Sequence, residues 1–106
     1  MAQIRWTKNA QRIFFERVLY AFNEFGTATA KRWQNDRKRI EQQLELYPEL
    51  YTLEPFLAER KRVYRSCHIM QRFKLVYYYA KSSDIVHVVD IWDTKMSPDN
   101  LKRRIK

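Results

Sequence analysis

Between residues 8 and 47 apolar side chains recur three and four positions apart, and between 63 and 92 they alternate with polar ones. The first spacing gathers one face of a helix, the second one face of a strand. Ile4 to Thr7 reads as a short strand leading into the first helix. Thr7 is placed to cap that helix, whose apolar positions are Ala10, Ile13, Phe14, Val18, Ala21, Phe22 and Phe25. Gly26, the only glycine, stands where a helix ends. Thr27 is placed to cap a second helix through Ala30, Trp33, Arg37, Ile40, Leu44 and Tyr47, which Pro48 stops. A turn of two or three residues then predicts an antiparallel helix hairpin, 8–25 against 28–47.

Residues 50–58 read as a loop, and three strands follow at 62–69, 73–80 and 85–93. Alternation puts Val63, Arg65, Cys67 and Ile69 on one face of the first. Tyr77 and Tyr79 share a face of the second, with Val76 and Tyr78 opposite. In the third, Ile85, His87, Val89 and Ile91 oppose Val86, Val88, Asp90 and Trp92. Ser97-Pro98-Asp99 opens a last basic helix, LKRRIK, which is expected to fray. The expected fold is one α+β domain over residues 1–106. A short N-terminal strand precedes a helix hairpin packed on one face of an antiparallel sheet, and a short helix ends the chain.

Composition narrows the possibilities. At 45% hydrophobic and 15% aromatic, 106 residues can bury a core of their own. The apolar runs are short, and no signal-peptide core surrounds Arg5 and Lys8, so a cytoplasmic protein with no membrane contact is expected. One cysteine, Cys67, excludes an internal disulfide and is expected to be a buried thiol. Cys67, His68 and His87 lack the spacing of a zinc motif, and one glycine cannot build a phosphate loop. Neither metal, cofactor nor small-molecule substrate is expected.

The net charge is +9, unevenly spread: +6 over residues 1–39, −5 over 40–59 and +8 over 60–106. Such a balance concerns partners rather than fold. A basic, aromatic sheet usually meets nucleic acid or an acidic protein. The contact candidates are Arg62, Arg65, Arg72, Lys74, Tyr79, Lys81 and Lys95. Arg65, between Val63 and Cys67, is partly desolvated and calls for a carboxylate or phosphate. Arg37 interrupts the stripe of its helix. It either packs its stem and frees its head, or pairs with a carboxylate such as Asp90.

The order of elements, with the stretches YRSCHIMQRFKLVYYYA and VVDIWDTKMSPDNL, resembles the RelE/ParE superfamily of bacterial toxins. The opening IRWTKNA, Arg65, the run ending in YYY, and Asp-Thr-Lys followed by Ser-Pro carry the likeness over nearly the whole chain. It implies the toxin of a type II toxin–antitoxin pair, held inactive by a cognate antitoxin whose contacts would include Leu101, Arg104 and Ile105. RelE-like members cut messenger RNA in the ribosome with lysines, strand arginines and a late Tyr or His. ParE-like members inhibit DNA gyrase and lack that set. Arg65 matches the strand arginine, Lys95 falls near the position of the second basic residue, and these two are the only catalytic candidates. The loop that should bring lysines offers Glu54, Phe56, Ala58 and Glu59, and no Tyr or His follows Lys95. Cleavage needs groups that take and give protons, which Arg and Lys do poorly at neutral pH. A ParE-like toxin that binds a target such as gyrase is therefore the favoured reading. The alternatives are a RelE-like ribosome-dependent endonuclease and a basic nucleic-acid-binding domain outside the family.

Overall fold

A computed structural model describes residues 1–105. The element order is β1 (Gln3–Trp6), α1 (Lys8–Phe25), α2 (Thr27–Leu46), a 3-10 turn (Pro55–Leu57), β2 (Tyr64–Ile69), β3 (Phe73–Ala80), β4 (Ile85–Asp93) and α3 (Pro98–Arg104). The Thr7 hydroxyl oxygen accepts the Ala10 N–H at 3.1 Å, as a helix N-cap should. Gly26 alone joins the two helices, ending α1 and starting α2 at φ 92° and ψ −175°. That conformation is open essentially to glycine only, and it makes the turn shorter than two residues. Thr27 is thus the first residue of α2 rather than its cap.

The sheet runs β1-β4-β3-β2. The β2–β3 and β3–β4 pairs are antiparallel, while β1 joins β4 in parallel, so the sheet is mixed rather than purely antiparallel. Both helices lie on one face. Phe14, Ile13, Trp33, Ile40 and Leu44 bury against Cys67, Leu75, Tyr77, Val86, Val88 and Ile91. Phe22 and Phe25, expected inward, are instead exposed toward the tip of the hairpin. On the other face Tyr64, Val76 and Trp92 bury against Leu57, Leu101 and Ile105.

Strict alternation fails in β4. Val76 pairs with Asp90 and Tyr77 with Val88, which leaves Val89 as an extra residue in a β-bulge. Val86 and Val88 face the helices before the bulge, and Ile91 faces them after it. Ile91 therefore leaves the set of Ile85 and His87 in which alternation had placed it. Arg37 does not reach Asp90. Its guanidinium lies 3.9 Å over the Trp6 ring and 3.5 Å from Glu41, while Arg104 holds Asp90 at 2.5 Å.

α3 is docked rather than frayed. Leu101 and Ile105 are buried beneath it, each contributing roughly 2 kcal/mol by burial. Arg60 caps its far end by donating to the Lys102 and Ile105 carbonyls. Among the described residues no helix is long and apolar enough to cross a membrane.

Candidate functional site: a cationic, aromatic end of the sheet

Four of the expected contact residues converge. Arg62, Arg65, Tyr79 and Lys81 line one cleft of about 300 Å³ together with Glu49 and Val63. Arg65 projects from β2 toward the helix side, opposite Tyr77. Its guanidinium donates to the Tyr51 carbonyl at 2.9 Å and lies 3.4 Å from Glu49, which supplies the expected carboxylate. Lys81, largely exposed, reaches the same Glu49 at 3.2 Å. The Tyr79 hydroxyl donates to Asp84 at 2.6 Å, and that bond to an anion raises the phenol above its ordinary pKa. Beside this cleft Leu46, Tyr47, Leu50, Leu53 and Val63 are all more than half exposed. So much clustered apolar surface marks a contact site rather than idle exterior.

Arg62 also serves the opposite face. Its guanidinium sits 4.1 Å above the Tyr78 ring. Tyr78 stacks on His87 at 4.7 Å and meets Tyr64 edge-on at 5.8 Å. The register explains the alignment, because Arg5, His87, Tyr78 and Tyr64 are successive partners across β1, β4, β3 and β2. Burial, then the charges of Arg5 and Arg62, hold the His87 imidazole below its usual 6.5. Among the described residues no carboxylate pairs with Arg5 or Arg62. This row across the sheet was not foreseen. The signal was in the pairing of the last two strands, which composition does not give.

The remaining candidates lie elsewhere. Lys74 projects onto the α3 face and binds the buried Glu54 carboxylate at 2.8 Å, between Phe56 and Trp92. Glu54 also accepts from Ser66 Oγ and the Phe56 N–H, so it presents no charge to an approaching phosphate. Of the two carboxylates in that loop only Glu59 remains exposed. Arg72 forms a bidentate pair with Asp93, which pins the β2–β3 turn to the end of β4 and lowers the Asp93 carboxyl. Lys95 follows Asp93, whose partner on β3 is Phe73, whereas Arg65 faces Tyr77. Four residues of strand, roughly 13 Å, separate those levels. The two catalytic candidates are not brought together. Leu101 and Ile105, expected to meet a partner, are occupied within the chain, and Arg104 is held by Asp90.

Among the described residues no three metal-ligating side chains gather. No family model and no curated relative matches the sequence. Solved structures do. A chain of the chromosomal ParDE TA system from P. aeruginosa superposes with a TM-score of 0.67 at 14% identity, covering 88% of this chain and 96% of that one. A metal-bound toxin from Helicobacter pylori superposes with a TM-score of 0.62 at 18% identity, over 90% and 97% of the two chains. At these identities the likeness is one of architecture, and by it the chain has the RelE/ParE fold.

Proposed function

We propose that the chain is the toxin of a type II toxin–antitoxin pair, acting in the cytoplasm by binding a target such as DNA gyrase and neutralised by a cognate antitoxin. The fold shared with a chain of a ParDE TA system supports the class. The observation that carries the binding mode is the cleft of Arg62, Arg65, Tyr79 and Lys81 beside the exposed Leu46–Leu53 apolar surface. An acidic amphipathic antitoxin segment fits it: apolar side chains cover the patch, and carboxylates replace Glu49 as the partner of Arg65 and Lys81. Cleavage is less well supported, because Arg65 is engaged, Lys74 is neutralised and Lys95 stands apart.

One observation favours the second reading, RNA cleavage. His87 stays neutral near pH 7, stacked on Tyr78 and flanked by two unpaired arginines, as a base beside a phosphate site would. Brief induction followed by primer-extension mapping of transcripts, beside a gyrase supercoiling assay, separates the two. The expected result is a supercoiling block without discrete cuts, lost in Arg62→Ala/Lys81→Ala and kept in His87→Asn. Cuts that vanish in folded His87→Asn would overturn the binding reading.

A further inference from the structure

A second cleft, sharing no residue with the first, opens between α2 and the β2–β3 turn, with a volume of about 620 Å³. Arg32, Asn35, Asp36 and Arg39 form one wall and fall on a single face of α2, being three and four residues apart. His68, Met70 and Gln71 form the other. We propose that this cleft binds a free nucleotide, with its phosphate on Arg32 and Arg39 and its base against Met70 within reach of the Asn35 and Gln71 carboxamides.

The charge of the walls favours an anion. Asp36, the one carboxylate, is already committed twice, to the Met70 N–H at 2.8 Å and to Arg39 at 3.1 Å. Among the described residues Arg32 has no ion-pair partner. Guanidinium groups suit phosphate, and carboxamides pair with the edge of a base. The volume lies within the range of small-molecule sites, and half-buried Met70 supplies the apolar surface such sites use.

The turn itself is the independent observation. Met70 and Gln71 stand at φ 53° and 62°, two successive left-handed residues without a glycine. Asn-Gly would make such a turn without strain. Here the strain is held by the Asp36 carboxylate on the Met70 N–H and by Thr94, which donates to the Arg72 carbonyl. The two strained residues are also part of the cleft wall. Backbone strain that a neighbouring helix enforces, in residues lining a cleft, is the pattern of a pre-formed binding site.

Titration of the isolated chain with adenosine and guanosine monophosphates, inorganic phosphate and a short single-stranded oligonucleotide tests this, read by calorimetry and amide shifts. A nucleoside monophosphate is expected to shift amides in 32–39 and 68–72 and to bind at least tenfold more tightly than inorganic phosphate. Arg32→Ala and Gln71→Gly should each weaken it severalfold with the fold intact by amide spectra, the glycine also relieving the strain. Lys81→Ala, in the other cleft, should leave affinity unchanged. Equal loss in Lys81→Ala would mark general attraction to a +9 chain and overturn the proposal. So would equal affinity for phosphate alone, binding of the oligonucleotide only, or no shift at millimolar nucleotide.

Discussion

Lys74 Nζ lies 2.8 Å from Glu54 Oε1, and the carboxylate it neutralises is 1% exposed. The pair sits on the α3 face, with Ser66 Oγ and the Phe56 N–H satisfying the rest of the carboxylate. A lysine that looks from the sequence like a free surface cation is thus part of the second core.

Lys74→Ala should therefore cost stability. It leaves a buried carboxylate without its cation, a loss of about 3–5 kcal/mol. Lys74→Met with Glu54→Leu should recover most of it, because no charge is then stranded. Urea unfolding of both variants checks this. A single variant within 1 kcal/mol of the parent chain contradicts a structural role for Lys74.

Gly26→Ala should destabilise by about 1–3 kcal/mol through backbone strain alone. Nothing lies within 4 Å of the added Cβ, so no steric clash contributes. Gly26→Asn should fare little better at ψ −175°. Thermal melts of the two variants give the answer, and an unchanged midpoint in Gly26→Ala would count against the one-residue turn.

His87 should titrate below 6.5, read from its ring-proton shifts. Because the unfolded chain keeps the ordinary value, it binds more protons than the folded one between the two values. Stability then rises with pH through that window, is fully recovered above 6.5 and falls below it. Arg62→Ala should raise the midpoint and His87→Asn should flatten this part of the stability curve. A midpoint above 6.5 would show that neither burial nor the flanking arginines hold the imidazole down.

Arg104→Ala should cost about 3 kcal/mol at neutral pH, since Asp90 is 0% exposed and loses its partner. Burial already raises the Asp90 carboxyl above 3.8. The folded state therefore takes up a proton before the unfolded one as pH falls, and the penalty should shrink in mild acid. Guanidinium melts of parent and variant at pH 7 and 4.5 measure it. A penalty that grows in acid would reverse the assignment.

Cys67 should resist alkylation at pH 8. Burial pushes its thiol up to about 12, leaving almost no thiolate. Iodoacetamide should label it only in denaturant. Rapid labelling of folded protein would show that the hairpin lifts off the sheet.

The elements were legible because each rests on a local rule. Thr7 caps, Gly26 turns, and alternation marks β2 and β3 nearly to the residue. What alternation cannot show is an inserted residue. The Val89 bulge turns Ile91 to the helices and depends on how β4 meets β3, not on β4 itself. The site was half legible for a similar reason. Arg62, Arg65, Tyr79 and Lys81 announce themselves by type, whereas Lys74 and Glu54 are twenty residues apart and look independent until the 3-10 turn folds over β3. Leu101 and Ile105, within a strongly basic stretch, read as exposed because charge dominates the local composition.

The parallel pairing of Gln3–Trp6 with residues 85–88 has a consequence for biosynthesis. The helix hairpin rests on near-neighbour contacts and can form while the ribosome is still at work. β1 must wait for β4, a long-range closure of the kind that slows folding. At roughly 5–20 residues per second, seconds pass with the apolar side of the hairpin uncovered. Nor can Arg5 meet His87 in that interval. A nascent chain thus carries the adhesive surfaces of an unfinished protein before it carries either finished face of the sheet, and a chaperone or an early-binding partner would encounter the hairpin first.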